Sequence, residues 1–505
     1  MILLDGDSLS LAALLDAADG AEVALAPAAA ARVDAARLVV ERAAAGSAAA
    51  YGINTGFGAL AETPIAADAL GALQLNLLRS HAAGVGERLP VRAVRAAMVL
   101  RANILAKGYS GIRRATLERL IDLINRRVHP SVPSRGSVGA SGDLAPLAHL
   151  SLVLVGEGAA TVGDDPRERP GREALQLAGL SPLALGPKEG LALINGTQPS
   201  AAIAALAIEG AGRLARAADL AAALSIDALR GSMHPFDPRI HAARPYPGQR
   251  DSAANIRALL DGSAINRSHE HCGRVQDAYS LRCAAQVHGA ARDALAFARA
   301  SIAIELNAAT DNPMVFADAG EIVSGGNFHG APVAIAADVT ALALAQLVTI
   351  SERRSDRLVN PALSGLPAFL TTASGLHSGY MMAQVTAAAL VSEIKTLCHP
   401  ASADTIPTSA NREDHVSMSM GAALKAARAL ELATLVVAIE MLCACQALDL
   451  LAPLRPSPPL QRVHARVRSI VPHLAGDRPP SPDIEAIAAI VADGSLELSC
   501  AVEVK

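Results

Sequence analysis

Five stretches, at about 197–225, 284–307, 331–358, 380–397 and 415–450, carry long Ala-rich helical patterns with few β-branched runs. Helices of that length bury their apolar faces against one another, so the spacing predicts an all-α (mainly α) fold built on a long central helical bundle. Half of the 505 residues (51%) are hydrophobic, enough for a large core. Aromatic residues make up 2% and Trp is absent, so that core must be Ala, Leu, Val and Ile. Each aromatic is therefore informative. Tyr51, Phe57, Tyr279 and Phe328 fall in Gly-rich or polar stretches, away from the helices that core packing would favour.

The length suggests about three domains. Residues 1–190 form an N-terminal region with a glycine-rich loop, and 191–450 the long-helix bundle. Residues 451–505 form a C-terminal helical segment, set off by Pro453, Pro456, Pro458 and Pro459. Shorter helical patterns cover 29–45, stopping at Gly46, and 92–107, stopping at Gly108. Between them Tyr51-Gly-Ile-Asn-Thr-Gly-Phe-Gly58 reads as a loop, and 157–172 as a Gly/Pro/Asp-rich excursion. Ser481 is expected to cap a helix beginning at Pro482, with Gly494 past its end.

A net charge of −4 without a long basic run argues against nucleic acid or an anionic membrane as the main partner. The start, Met1-Ile-Leu-Leu-Asp-Gly-Asp7, lacks the basic region of a signal peptide, so a cytoplasmic protein is expected. The apolar stretches 333–350 and 433–451 carry Asp338 and Gln346, and Glu440, Gln446 and Asp449. They read as buried bundle helices, not membrane spans. Cys272, Cys283, Cys398, Cys443, Cys445 and Cys500 show no Cys-x-x-Cys spacing and are expected to be reduced thiols. Cys398-His399 reads as a packed thiol, and no metal site is expected.

The chemistry concentrates in Gly136-Ser-Val-Gly-Ala-Ser-Gly-Asp143, which runs on into Leu144-Ala-Pro-Leu-Ala-His149. Three glycines in eight residues mark a backbone that turns tightly and approaches itself closely. Attack of the Gly142 amide nitrogen on the Ala140 carbonyl carbon closes a five-membered ring. Loss of water there and from Ser141 leaves an alkene conjugated to an imidazolone, an electrophile that no side chain supplies. A phosphate loop would need Lys-Ser/Thr where Asp143 stands, and Gly139-Ala-Ser-Gly142 is one residue short of a nucleophile elbow. From these residues alone, a glycine-rich turn without chemistry carries equal weight.

The run Gly136 to Ala148 resembles the signature of the histidine/phenylalanine ammonia-lyase family, and the match recurs along almost the whole chain. The resemblance implies that Ala140, Ser141 and Gly142 mature autocatalytically to methylidene-imidazolone (MIO), with no external cofactor. It also implies a long helical bundle of the aromatic ammonia-lyase and fumarase/aspartase type, assembled as homotetramers whose active sites draw on three subunits.

Ammonia elimination from an α-amino acid needs an electrophile, a base for the weakly acidic β-proton, a cationic clamp for the carboxylate and a side-chain pocket. In the family pattern Tyr51 is the base or proton shuttle; a phenol titrates near ~10 in water, so the site must favour its ionisation. Arg282, in Gln276-Asp-Ala-Tyr-Ser-Leu-Arg282, resembles the carboxylate anchor, whose guanidinium can form two parallel hydrogen bonds. Tyr279 matches the family's second tyrosine, and Gln276 a polar partner. Asn195 resembles the asparagine that hydrogen-bonds the MIO carbonyl or the substrate carboxylate, and Phe328 the aromatic beside the electrophile. Away from the resemblance, a helix cap and a core ring are the ordinary readings of those two residues.

Ser80-His81 has the form seen in histidine-specific members, and Glu413 stands where phenylalanine and tyrosine members carry Gln. A carboxylate accepts an imidazole N–H and stabilises the imidazolium, so His81 and Glu413 suggest a pocket for L-histidine, converted to trans-urocanate and ammonia. The resemblance leaves open whether MIO engages the amine or the ring. The alternatives are a tyrosine or phenylalanine ammonia-lyase, an aromatic 2,3-aminomutase, or a catalytically silent relative, against which the intact Ala-Ser-Gly triad speaks. Three departures bear on substrate and efficiency: Arg412 for a neutral residue, able to pair with Glu413; Ala278 for a usual Pro; and Ile394 for a usual Asn.

Overall fold

The computed structural model describes residues 1–270, 273 and 275–505; Cys272 lies outside them. The fold is mainly α, and the chain forms two compact units, each assembled from three separate stretches. The first comprises Met1–Leu206, Arg299–Ala337 and Pro400–Leu424; the second comprises Ala207–Ala298, Asp338–His399 and Lys425–Lys505.

The long helices match the sequence periodicity closely: Gln198–Ala228, Ala284–Glu305, Ala331–Val359, Met381–Leu397 and Ser419–Leu450. Two of them, Ala331–Val359 and Ser419–Leu450, are long and apolar enough to cross a membrane by length and composition. Their most apolar windows are 61% and 78% buried within the protein, as core helices are.

In the first unit, helix Val91–Ala106 is buried continuously from Ala93 to Ala106. It includes Arg95, Arg101 and Asn103, whose donors reach carbonyl oxygens such as Ala21 O, Asn195 O and Leu306 O. Helix Pro27–Ala45 opens on proline, whose fixed φ suits a first helical position, and Gly46 follows its end. The excursion at 157–172 is β structure: Ala159–Val162 pairs antiparallel with both Val128–Pro130 and Asp165–Pro170. Strand Pro133–Arg135, paired with Val85–Arg88, delivers the chain to the glycine-rich loop, and helix Leu144–Leu152 carries it away.

The second unit has the core that the composition demands. Ala, Leu, Val and Ile fill it, with Phe236 and Tyr380 as its two fully buried aromatics. Burial pushes the Cys445 thiol up to about 12, and Cys443 and Cys398 upward as well, so these thiols stay protonated. The Cys398 thiol donates to Ala341 O, as a packed thiol would. No group of three or more metal-ligating side chains occurs among the described residues. The expected Ser481 cap does not form. Pro480 takes the cap position, Ser481 is the first helical residue of Ser481–Ala492, and its hydroxyl donates to Glu485 instead. Gly494 stands at the start of the next short helix, Ser495–Ser499, in a left-handed conformation.

Candidate active site

The loop 136–143 is held from several sides within the first unit. Gly142 is left-handed (φ +73°), and a Cβ there would collide with the backbone of Gly196. The same approach allows the Asp143 N–H to donate to Gly196 O at 2.8 Å. A Cβ on Gly139 would collide with the hydroxyls of Ser417 and Ser419; Ser417 Oγ donates to Gly139 O at 2.9 Å, and Met418 N–H to Val138 O at 2.8 Å. Asp143 is fully buried and accepts Ser137 Oγ at 2.7 Å and Ser200 N–H at 2.8 Å. Burial raises its carboxyl pKa despite those hydrogen bonds.

Asn195 ends helix Glu189–Ile194 and is 2% exposed. Its position is fixed by Arg101, fully buried, which donates to Asn195 O (2.8 Å), Gln198 Oε1 (2.7 Å) and Ala192 O. Burial brings the Arg101 guanidinium down to about 10. Asn195 Nδ2 donates to Asn312 O at 3.1 Å, while its Oδ1 is buried without a partner among the described residues. The side chain therefore does not cap the helix that follows.

Glu413 is a hydrogen-bond hub. It accepts Thr408 Oγ1 at 2.6 Å, Ser409 Oγ at 2.8 Å and Ser141 Oγ at 3.2 Å. Thr408 and Glu413 bridge antiparallel around a turn in which Ser409, Ala410 and Asn411 all have positive φ. Three consecutive non-glycine residues in that region store strain of the kind found at functional sites. Arg412 is exposed, and no ion pair joins it to Glu413 among the described residues, so that expected pairing is not formed.

His81 closes helix Leu70–His81, its Nδ1 bonded to Leu77 O at 2.9 Å and 3.0 Å from Ser80 Oγ. Burial lowers its pKa, opposed by the Leu77 hydrogen bond and the nearby Glu413 charge. A neutral ring donating from Nδ1 leaves Nε2 as an acceptor. The Tyr51 hydroxyl accepts Gly58 N–H at 3.3 Å, and its ring meets Phe57 edge-on with centroids 6.3 Å apart.

These groups surround one cavity of about 290 Å³. Tyr51, His81, Ser141, Asn195, Ser409 and Glu413 supply its polar wall; Phe57, Leu60, Leu77, Leu144, Leu191 and Ile194 supply the apolar one. A pocket of that size with few convergent polar groups suits a small ligand such as an amino acid. Ala140 and Gly142 flank Ser141 and are buried. Phe328 lies partly buried in the turn after strand Glu321–Val323, outside the cavity lining.

Gln276, Tyr279 and Arg282 belong to the second unit. Gln276 is exposed and Tyr279 is 69% exposed. The Arg282 guanidinium stacks on the Tyr279 ring, 4.6 Å from its centroid. Ala278 precedes this turn at φ −63°, the angle a proline would fix, and its carbonyl accepts Leu281 and Arg282 N–H groups. Ile394 is fully buried in the apolar core. Sequence reasoning missed Arg101 and the Ser417–Ser419 segment; for the former, the available signal was a charged residue in the apolar run Ala96–Ala106 of helix Val91–Ala106.

A family model described as aromatic amino acid lyase matches residues 9–469. A histidine ammonia-lyase of Anaeromyxobacter dehalogenans (strain 2CP-C) is 58% identical over 98% of this chain and 99% of its own. Among solved structures, histidine ammonia-lyase from Trypanosoma cruzi superposes with a TM-score of 0.92 at 44% identity, over 99% of this chain and 94% of that one. Tyrosine aminomutase from Streptomyces globisporus superposes at 0.94 with 38% identity, over the full length of both chains.

Proposed function

This chain belongs to the aromatic amino acid lyase family, and on that premise we propose that it eliminates ammonia from L-histidine to give trans-urocanate. The observation that carries the reading is the convergence of Glu413, His81 and Ser141 on one small cavity. Glu413 and the acceptor nitrogen of His81 make a polar end suited to an imidazole N–H.

The Ala140–Ser141–Gly142 loop suits MIO on its own structural terms. Gly142 is packed so tightly on Gly196 that only hydrogen fits at its α-carbon, and Asn195, whose buried Oδ1 has no partner among the described residues, is among the cavity's lining residues. MIO supplies an electrophile that makes the amino group a leaving group. The remaining work falls to side chains. Asn195, with one Nδ2 hydrogen on Asn312 O, donates its second to the MIO carbonyl or the substrate carboxylate, Tyr51 takes the β-proton, and Glu413 and His81 orient the ring. The family pattern gives Arg282 the carboxylate clamp, Tyr279 and Gln276 places beside it in sequence, and Phe328 the aromatic of the site.

The proposal includes a cytoplasmic homotetramer with shared sites. Exposed apolar residues on the long helices favour association: Phe297 and Ile304 on Ala284–Glu305, and Ile335 and Leu342 on Ala331–Val359. Replacing Ser141 with Ala removes the hydroxyl that MIO formation must expel, so it is expected to abolish turnover; before maturation that hydroxyl makes one 3.2 Å hydrogen bond, so the thermal midpoint is expected to stay within a few degrees. Unchanged turnover would refute the MIO assignment. The likeness to a tyrosine aminomutase favours a second reading. Product analysis separates the two: β-amino acids mark an aminomutase, an alkenoate and ammonia alone mark a lyase.

A further inference from the structure

The Ala-rich core of the second unit contains a chain of buried charged groups that the chemistry above does not use. Arg354, on helix Ala331–Val359, is fully buried. It forms a two-pronged ion pair with Glu440 of helix Ser419–Leu450, Nε to Oε1 at 2.5 Å and Nη2 to Oε2 at 2.9 Å. Glu440, also fully buried, accepts Ser225 Oγ at 2.6 Å. Such a pair is costly to desolvate and is often no more stabilising than apolar residues of equal volume. Stability alone is therefore a weak reason for it.

The remaining Arg354 donors point to a different role. Nη1 donates to Ser280 O at 3.4 Å, and Nη1 and Nη2 lie 3.5 and 3.4 Å from His288 Nε2. Those donors require Nε2 to be an acceptor, so His288 is neutral with its proton on Nδ1, which donates to Asp219 Oδ1 at 2.7 Å. Burial, the largest influence on His288, lowers its pKa in agreement. Asp219 is fixed in turn by Ser252 (2.6 Å), Asn255 (2.8 Å) and Arg292 (2.6 Å). The network thus ends on the carbonyl of Ser280, inside the four-residue turn Tyr279–Arg282. That turn closes on its own backbone through Ala278 O and Tyr279 O, and Asp277 just before it accepts Ser232 N–H at 2.6 Å; Leu281 is its buried residue and Tyr279 is largely exposed.

We propose that Arg354 is a positioning residue, which sets the aim of Arg282 by tethering the Ser280 carbonyl to the Glu440–His288–Asp219 network. The proposal rests on the reading of Arg282 as the carboxylate clamp. A misaimed clamp weakens binding of the carboxylate and leaves the ring pocket untouched.

The test is the double variant Arg354→Met/Glu440→Leu in the full chain, which removes both charges and leaves no unpaired buried ion. KM for L-histidine is expected to rise about tenfold with kcat within about twofold, the size of losing one well-aimed charge-assisted contact. Inhibition by histamine, which has the imidazole and amine but no carboxylate, is expected to stay within about twofold. An unchanged KM, or histamine affinity falling in parallel, would overturn the proposal. Backbone amide exchange at Leu281–Cys283 is a readout independent of substrate, expected to quicken about tenfold. Unchanged exchange sinks the positioning role even if the wild-type protein turns over no histidine, so the two readings fail separately. If the double variant does not fold, Arg354→Lys keeps the charge without the fork, and the same shifts in KM and amide exchange are expected of it; their absence would overturn the proposal equally.

Discussion

Replacing Glu413 with Gln separates recognition of the ring from support of the loop. Before maturation the carboxylate accepts three hydroxyls, from Thr408, Ser409 and Ser141; once MIO formation has expelled the last, Thr408 and Ser409 remain. A glutamine is isosteric. Its carbonyl oxygen can keep Thr408 and Ser409, and its amide faces the cavity. Both hydroxyls retain their partner, so the cost to the fold is the difference between charge-assisted and neutral bonds at a partly exposed site, about 1 kcal/mol in all. The substrate contact responds differently. An imidazole N–H facing a carboxylate is worth about 1.4 kcal/mol more than one facing an amide, which is tenfold in kcat/KM. L-Phenylalanine carries no ring N–H. The account predicts that kcat/KM for L-histidine falls about tenfold in Glu413→Gln, while any trace rate on L-phenylalanine falls by less than about threefold. Initial rates of alkenoate formation on both substrates, with a thermal melt as control, measure this. Equal losses on the two substrates would refute the argument and assign Glu413 to the loop and not to the ring.

Gly142→Ala places a methyl group against the Gly196 backbone at a left-handed φ, which costs about 1–2 kcal/mol before the collision is counted; turnover is expected below about 1% of wild type, and retention of a tenth would contradict the packing argument. His129 is buried in strand Val128–Pro130, its Nδ1 without a partner among the described residues, and burial with the Arg95 and Arg127 charges lowers its pKa to about 4. The unfolded chain takes up that proton near ~6.5, so stability falls as pH drops from there to about 4, by about 2 kcal/mol after solvent screening. A urea-midpoint series over that window should flatten in His129→Phe; a series unchanged by the substitution would remove His129 from the acid response. Co-expression of Ser141→Ala and Arg282→Leu chains, each inactive alone, should restore measurable turnover through mixed assemblies if sites are shared, and no recovery would confine each site to one chain.

The long helices were legible because their periodicity is local and their core is built from residues that differ little in shape. Gln198–Ala228 and Ala331–Val359 fall within a few residues of their expected bounds. Ser481 misled because it offers the right chemistry one position too late, after Pro480 had taken the cap. At the site, contiguous motifs located Tyr51, Ser141, Asn195 and Glu413, and the cavity collects all four. Contacts between distant stretches left no such trace. Nothing in the spacing announces that Ser417 closes over Gly139, or that Arg101 grips the carbonyl of Asn195. The same holds for Arg354, whose neighbours Ser280, His288 and Glu440 are 66 to 86 residues away along the chain. Arg412 shows the converse: adjacency to Glu413 suggested a pair, but the turn directs the carboxylate to hydroxyls.

The central claim is histidine elimination in the Glu413–His81–Ser141 cavity. The most direct measurement is an ultraviolet time course of the purified protein with L-histidine, L-tyrosine and L-phenylalanine in separate cuvettes. The account predicts urocanate from L-histidine, with the other two at trace rates. Coumarate or cinnamate as the main product, or no product from L-histidine, would contradict it.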